Sequence, residues 1–226
     1  MHAAPASGTL LLQAGGSPAV ETGHMSHRDD LPATAIGPLL CTWMPYRRGE
    51  RAEPLARPWL AAQLAVPEQA LGLWRDAHGR PHLGDAHAGL DANWSHSGER
   101  LLVALARDAR VGADIEWLRP RPNAMTLARR FFTADEAAQL AALPHDDAAR
   151  WFVRLWCAKE AVLKAHGRGI AFGLERLAFT REGDGWRLAA CDPALGAPAD
   201  WRLHAFEPEP GYLATLAWRD VRPAPG

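Results

Sequence analysis

The chain has 226 residues, of which 48% are hydrophobic, and its 25 basic and 26 acidic residues give a formal net charge of −1. This length is enough for one large globular domain or for two smaller lobes that each bury a core. The balanced charge argues against a nucleic-acid-binding protein that depends on phosphate neutralisation, so any basic site has to be local.

The cysteines and the hydropathy pattern indicate the compartment. Cys41, Cys157 and Cys191 are odd in number and lack metal-binding spacing, which favours reduced thiols. No segment approaches the roughly 18 apolar residues that a membrane span needs, and the N-terminus has no basic start followed by a hydrophobic stretch. We therefore expect a cytoplasmic protein that binds neither nucleic acid nor a membrane.

The N-terminal part of the chain begins with a segment that has few means of forming a core. Residues 1–35 are rich in Ala, Gly, Ser, Pro and His, which predicts a flexible lead, and Met25 within it is a candidate natural start. A strand is predicted at residues 39–44 and a helix with an apolar face at residues 54–64. Residues 36–108 are interpreted as an N-terminal lobe.

The centre of the chain is predicted to hold the junction between two lobes. Residues 101–106 and 111–116 are predicted to be two strands, and residues 107–110 between them predict a hairpin. A C-terminal lobe at residues 109–220 and a flexible tail at residues 221–226 complete the division. The remaining elements of this lobe, three helices and then four strands, are predicted at residues 126–132, 135–143, 148–166, 177–180, 186–190, 201–206 and 212–218. Thr133 and Glu136 have the spacing of a capping box at the start of the second helix.

Two carboxylates one residue apart are the first candidate site residues. If Asp114-Ile115-Glu116 is a strand, alternation sends Ile115 to one face and both acids to the other, where their oxygens can share one divalent cation. An isolated Asp-x-Glu is usually a solvated strand edge. Here Trp117 and Leu118 follow directly, and such apolar surroundings favour a functional site.

The long predicted helix adds a third carboxylate and a lysine. Its apolar positions 151, 155, 158, 162 and 165 form one stripe, which leaves Glu160 and Lys164 about 40° apart on another face. An acid that completes a metal shell or accepts a proton, beside an ammonium that neutralises phosphate oxygens, is an arrangement used in phosphoryl transfer. The alternative is a surface pair that contributes about 0.3–0.5 kcal/mol. Lys159 leans towards the apolar stripe and ranks below Lys164, and Cys157 is interpreted as a buried thiol.

Four motifs, in order and in spacing, resemble those of the 4′-phosphopantetheinyl transferases of the surfactin-synthetase-activating type, in particular the subgroup with a W-x-x-K-E-A motif. They are Asn93-Trp94-Ser95-His96-Ser97 beside the family's N-L-S-H-S, Gly112-Ala113-Asp114-Ile115-Glu116 beside G-V-D-I-E, Phe131-Phe132 followed by Asp135-Glu136, and Trp156-x-x-Lys159-Glu160-Ala161 with Lys164 and Gly167. The resemblance runs from about residue 79 to residue 173. It fades towards the C-terminus and is poor before residue 45.

The resemblance implies an α+β fold of two similar α/β lobes in a pseudo-twofold arrangement. The sheets would be mostly antiparallel, each lobe would have a long helix, and the active site would lie in the cleft between the lobes. The implied reaction transfers the 4′-phosphopantetheine arm of coenzyme A to a serine of an apo carrier protein, either an acyl or a peptidyl carrier, and releases adenosine 3′,5′-bisphosphate. Coenzyme A is the implied substrate, Mg²⁺ the implied cofactor with Mn²⁺ as its alternative, and a monomer is expected.

The resemblance also implies a role for each matched residue. The catalytic residues would be Glu160 and Lys164, and the metal ligands would be Asp114, Glu116 and Glu160. The residues that bind coenzyme A would be Arg48, Arg80, Ser95, His96, Asp114 and Lys164. Arg80 stands where the family's G-K-P element has lysine. Arg48 is chosen among Arg47, Arg48, Arg51 and Arg57 because it precedes the helix at about the family's distance.

Two other functional classes stay open. A magnesium-dependent nucleotide phosphohydrolase would use the same acids with water as the acceptor, and a non-catalytic module would bind coenzyme A without turnover. Ser95-His96 does not indicate a serine hydrolase, because adjacent residues of an extended chain point to opposite sides and the Gly-x-Ser-x-Gly elbow is missing. His78, His82 and His87 are better explained as loop histidines than as zinc ligands.

A basic surface is the candidate site for the carrier protein. The carriers in these systems tend to present acidic helices, so a patch of arginines with apolar neighbours would complement them. Its predicted members are Arg119, Arg121, Arg129 and Arg130 with Met125 or Phe132.

Overall fold

A computed structural model of the protein describes residues 31–183 and 185–221, and it shows the predicted α+β fold. The strands are β1 (Thr34–Ile36), β2 (Leu39–Pro45), β3 (Trp74–Arg75), β4 (Pro81–His82), β5 (Leu90–Ser97), β6 (Arg100–Arg107), β7 (Ala109–Trp117), β8 (Leu177–Glu182), β9 (Gly185–Cys191), β10 (Arg202–Phe206) and β11 (Tyr212–Asp220). The α-helices are α1 (Ala52–Leu64), α2 (Ala124–Phe131), α3 (Ala134–Ala141) and α4 (His145–His166). Every helix predicted from the sequence is confirmed to within a few residues.

The strand pairs are all antiparallel in the part of the chain that the structure describes. One sheet has four strands in the order β1-β2-β6-β5, and a second has three in the order β10-β11-β7. The pairs β3-β4 and β8-β9 form separate hairpins. Between residues 31 and 221, leaving out residue 184, no helix is long and apolar enough to cross a membrane.

The predicted hairpin between residues 101–106 and 111–116 is wrong. β6 pairs with β2 and β5, whereas β7 pairs with β11. Asp108, with φ 53°, turns the chain from the first sheet into the second. The sequence identified both strands correctly, but the choice of partner depends on packing between distant segments, which a local pattern does not contain.

The ends of the chain also differ from the prediction. Residues 34–36, assigned in part to the flexible lead, form β1 and pair with β2. The amide of Val221, assigned to the flexible tail, donates to the carbonyl oxygen of Asp108 at 2.9 Å. The rest of the predicted lead, residues 1–30 with Met25, and the rest of the predicted tail, residues 222–226, lie outside the described residues.

The core has three parts that stack helix, sheet, sheet and helix. α1 packs on the first sheet, with Trp59 and Leu60 against Leu101 and Val103. The other face of this sheet packs against the second sheet, on the side to which Ile115 points. α4 covers the remaining face of the second sheet and forms the largest apolar cluster with α2, α3 and the β8-β9 hairpin. The face of β7 opposite Ile115 is therefore turned towards α4.

The two larger sheets meet at their edge strands, β5 and β7, which run in the same direction. Side chains of β5 accept hydrogen bonds from the backbone amides of β7. The pairs are Val111 N to Asp91 Oδ2 at 2.7 Å, Ala113 N to Asn93 Oδ1 at 3.0 Å and Trp117 N to Ser97 Oγ at 3.1 Å. Because the partners advance together along both strands, this joint fixes the position of one edge strand against the other.

Gly112 allows α4 to lie directly on β7. A Cβ atom at this position would be 1.9 Å from the carbonyl oxygen of Ala161 and 2.5 Å from the amide nitrogen of Ala165. No side chain fits between the strand and the helix at that point. The close approach brings Glu160, the neighbour of Ala161, to the acid-bearing face of β7.

Lys159 belongs to the core and is fully buried. Its Nζ lies 2.8 Å from Glu136 Oε2 and donates to the carbonyl oxygens of Leu174 and Leu177 at 2.9 and 2.5 Å. Glu136 also accepts from the amide of Thr133 at 2.8 Å, and the Thr133 side chain accepts from the Glu136 amide, so the predicted capping box is confirmed. Lys159 thus connects α4 to α3, to the turn before β8 and to the first residue of β8.

Candidate functional site

Asp114 lies at the centre of the candidate site. Its side chain is buried, and its Oδ1 accepts hydrogen bonds from Ser95 Oγ at 2.9 Å and from Lys164 Nζ at 2.6 Å. Its second oxygen, Oδ2, is buried without a hydrogen-bond partner. Because a buried carboxylate oxygen is costly to leave unpaired, Oδ2 is available to an additional ligand.

Glu116 lies two residues after Asp114, on the same face of β7. Its Oε2 accepts from Ser97 Oγ at 2.9 Å and from Arg121 Nη2 at 2.5 Å. Burial raises the pKa of Glu116, and the neighbouring charge of Asp114 adds to the increase. The contact with Arg121 is absent from the sequence-based predictions, which assigned Arg121 to a docking surface.

Glu160 brings the third predicted carboxylate to the site from α4. The residue is 5% exposed. Burial, reinforced by the negative charges of Asp114 and Glu116, raises the pKa of Glu160 to about 7 although Lys164 opposes the change. The three acids therefore act on one another electrostatically, as the strand and helix patterns predicted.

Lys164 supplies the positive charge of the site. Burial lowers the pKa of its ammonium, but the carboxylates of Asp114 and Glu160 outweigh burial and raise it overall. Besides Asp114, Nζ contacts Ser95 Oγ at 2.8 Å and the carbonyl oxygen of Ala113 at 3.2 Å. Lys164 is thus held as a cation beside the acids.

The side chains fit a hard divalent cation, although they do not form a closed metal cage. Within residues 31–183 and 185–221, no three acidic, histidine or cysteine side chains already stand in a metal-binding group. The oxygen-only donor set and the unpaired, buried Oδ2 of Asp114 suit Mg²⁺ or Mn²⁺. Holding the cation jointly would require Glu116 and Glu160 to be directed towards that oxygen.

The raised pKa of Glu160 predicts that the metal-free protein loses stability as the pH rises. Between pH 4.5 and about 7 the folded state binds a proton that the unfolded state has released, so the free energy of unfolding decreases across this window. The loss is on the order of 3 kcal/mol. Thermal denaturation with a chelator at pH 5 and pH 8 measures it. Glu160→Gln should remove most of this dependence, and an unchanged pH profile in that variant would contradict the assignment.

Ser95 and His96 point to opposite sides of β5, as the alternation argument required. Ser95 Oγ faces Asp114 and Lys164, whereas the His96 ring stacks on Tyr46 with ring centroids 4.2 Å apart. Burial and the charge of Lys164 lower the pKa of His96. The two side chains do not form a nucleophile and base pair.

A cleft of about 510 Å³ opens beside these residues. Its wall includes Ser95, His96 and Lys164, and it continues to the start of α1 and to β3. Arg51 and Arg75 supply its arginines, while Arg48 lies in the exposed turn after β2 and is not among its lining residues. Sequence reasoning considered Arg51 but not Arg75, which lies 5.2 Å over the Trp94 ring. The assignment of Arg48 to coenzyme A stays a prediction.

Arg80 is buried and bonded to the protein itself. Its Nη2 donates to Asp91 Oδ2 and, at 3.1 Å, to the carbonyl oxygen of Val111, while Nη1 donates to the carbonyl oxygen of Lys164. The guanidinium thereby connects β5, β7 and the last turn of α4. A contact of Arg80 with coenzyme A stays a prediction, and the bonds in the structure give this residue a supporting position.

Other candidates from the sequence take up structural positions. Phe132 is buried and Arg121 binds Glu116, which leaves the exposed Arg119, Arg129 and Arg130 with the partly buried Met125 in the predicted docking surface. Cys157 is buried in α4, which confirms the predicted buried thiol, and burial raises its pKa well above the ordinary thiol value. Among the loop histidines, His82 bonds to Asp76 and His87 to the carbonyl oxygen of Ala70.

Comparison with known proteins points to one family. Residues 110–217 match the family described as the 4′-phosphopantetheinyl transferase superfamily. The chain is 35% identical over 175 residues to the 4′-phosphopantetheinyl transferase HetI of Nostoc sp. (strain PCC 7120), which covers 76% of this chain and 70% of the relative. It is 33% identical to psf-1 of Bacillus pumilus, covering 72% and 67%, and 26% identical to Sfp of Bacillus subtilis (strain 168), covering 82% and 73%. Both relatives carry the same transferase name.

Proposed function

Since this chain belongs to the 4′-phosphopantetheinyl transferase superfamily, of the surfactin-synthetase-activating type, we propose that it transfers the 4′-phosphopantetheine arm of coenzyme A to a serine of an apo carrier protein. The observation that carries this proposal is the convergence of Asp114, Glu160 and Lys164 beside a cleft whose wall holds Arg51 and Arg75. The acids suit a cation on a diphosphate, and the basic residues suit the phosphates of the nucleotide.

Asp114, Glu116 and Glu160 are the residues that would hold Mg²⁺, or Mn²⁺ in its place. When bound, the ion neutralises charge on the diphosphate of coenzyme A and on the departing phosphate. Ser95 and Lys164 donate to one oxygen of Asp114, so the unpaired Oδ2 is the oxygen that would be available to the ion.

Glu160 is proposed as the general base. The serine hydroxyl of the carrier gives up its proton to Glu160, directly or through one water, and its oxygen forms a bond to the phosphorus that bears pantetheine. The bond from that phosphorus to adenosine 3′,5′-bisphosphate breaks, and this bisphosphate leaves. Burial raises the pKa of Glu160 in the metal-free protein, whereas a bound cation would favour the ionised carboxylate that accepts the proton.

Lys164 and the wall of the cleft would orient coenzyme A. The Lys164 ammonium would stabilise charge on the transferred phosphate, and His96, which lines the same cleft, would contact a phosphate of coenzyme A. Arg51 and Arg75 line the cleft, and we add them to Arg48 as candidates for binding the 3′-phosphate of coenzyme A. We further propose a cytoplasmic monomer that meets its carriers in solution.

The direct test is incubation with coenzyme A, Mg²⁺ and an apo carrier, followed by intact-mass measurement of the carrier. The proposal expects a mass gain equal to one phosphopantetheinyl arm, and none when the acceptor serine of the carrier is replaced by alanine. Release of phosphate from nucleotides without carrier modification would indicate a phosphohydrolase instead. Binding of coenzyme A without modification at any Mg²⁺ concentration would indicate a non-catalytic module.

A further inference from the structure

Two units of the same composition lie side by side along β5 and β7. Each contains a serine of β5, an acid of β7 and a cationic side chain from outside both strands. The units are Ser95-Asp114-Lys164 and Ser97-Glu116-Arg121. In each unit the serine hydroxyl and the cation donate to the same carboxylate oxygen, so the second unit repeats the first two residues further along both strands.

In the second unit, both donors bind the same oxygen of the Glu116 carboxylate. Ser97 Oγ and Arg121 Nη2 both bind Oε2 of Glu116, so neither of them occupies Oε1. The side chains of Arg121 and Glu116 are only 18% and 19% exposed, which makes the ion pair stronger than one on the surface. The carboxylate is thus held at one oxygen by two donors.

We propose that Ser97 and Arg121 are positioning residues that orient Glu116 so that its other oxygen faces the divalent cation. The inference rests on the proposed function, because it takes Glu116 as a metal ligand. It assigns to Arg121 a role that neither the motifs nor the predicted docking surface contained.

The first unit supports the view that Arg121 strengthens metal binding over the view that it weakens it. Arg121 would weaken metal binding if it occupied the place of the cation. In the first unit, however, the donors sit on Oδ1 and the oxygen without a partner is Oδ2, inside the protein. Donors on the outer oxygen of a ligating carboxylate normally orient it, and their loss typically reduces metal affinity about 10–100-fold.

The test measures Mn²⁺ binding to the metal-free full-length protein by electron paramagnetic resonance, without coenzyme A or carrier. Arg121→Gln should raise the Kd for Mn²⁺ about 10–100-fold, and Ser97→Ala should raise it in the same direction. Arg121→Lys, which keeps the charge but loses the planar fork, should lie between them and the wild type. The loss of a positive charge alone would tighten the binding of Mn²⁺. A higher Kd in Arg121→Gln would therefore show that the Glu116 carboxylate has lost its orientation.

Arg119→Gln is the matched control. Arg119 is exposed, and its guanidinium lies 5.8 Å from the centre of the Trp117 ring. The substitution therefore removes the same charge as Arg121→Gln, two residues away along the chain. Its Kd should stay within about twofold of wild type, which sets the size of the long-range charge effect. An unchanged or tighter Kd in Arg121→Gln would overturn the inference while leaving the metal site intact. A wild-type protein that binds no Mn²⁺ would overturn the metal site itself, and this inference with it.

Discussion

Replacement of Glu160 by glutamine is expected to reduce the turnover of carrier modification by roughly 10²–10⁴-fold. Glutamine keeps the size of the side chain but removes the proton acceptor and one charged metal ligand. Glu160 is the one acid of the site that comes from α4, and its pKa of about 7 results from burial beside Asp114 and Glu116. The measurement is the initial rate of carrier mass gain at saturating coenzyme A and Mg²⁺.

The same substitution separates catalysis from folding. Because the buried negative charge of Glu160 is unfavourable above pH 7, Glu160→Gln should unfold at a higher temperature than the wild type at pH 8 with a chelator present. Low activity together with raised stability would show that the acid serves the reaction. Unchanged turnover would remove Glu160 from the role of base.

Replacement of Gly112 by alanine is expected to destabilise the protein by about 3 kcal/mol or more, at the upper end of the effects of overpacking. The added Cβ would lie 1.9 Å from the carbonyl oxygen of Ala161. Neither atom moves when a side chain changes rotamer, so only a shift of the backbone could relieve the overlap. For a chain of this size the midpoint of thermal unfolding should fall by roughly 6–12 °C.

Gly185→Ala is the control for the Gly112 variant. At Gly185 the nearest atom to an added Cβ is the carbonyl oxygen of Glu182 at 3.8 Å, an ordinary contact. This variant should stay within about 1 kcal/mol of the wild type. Gly112→Ala should also lose activity while folded, because α4 would have to move away from β7 and carry Glu160 with it. A Gly112→Ala protein with wild-type stability would contradict the close packing of α4 on β7.

Local patterns in the sequence were sufficient for the four helices and for seven of the strands that the structure describes, although β1, β3, β4 and β5 were not predicted. Alternation around Asp114 and Glu116 placed both on one face of β7, and the helical stripe placed Glu160 and Lys164 on the face of α4 that meets them. The spacing of Thr133 and Glu136 predicted the capping box. These features depend on neighbours within four residues, which a sequence displays directly.

The same local patterns could not predict contacts between segments that are distant in the sequence. The partner of β6 and the bonds of Arg121 and Arg80 depend on which edges meet in the folded chain. The sequence suggested a contact with coenzyme A for Arg80 and a place in the docking surface for Arg121, and neither pattern showed their partners within the protein. Arg75 entered the cleft because the β3-β4 hairpin places it beside Trp94, a relation that no spacing expresses.

Hydrogen bonds between the backbones of paired strands use atoms that almost every amino acid has, so a substitution rarely removes them. The seam between β5 and β7 is different, because its acceptors belong to the side chains of Asp91, Asn93 and Ser97. A single nucleotide change can therefore delete any of these contacts, because each depends on the identity of one side chain. Evolution can therefore retune the distance and angle of Asp114 and Glu116 through residues of the opposite strand, while the acids themselves stay unaltered.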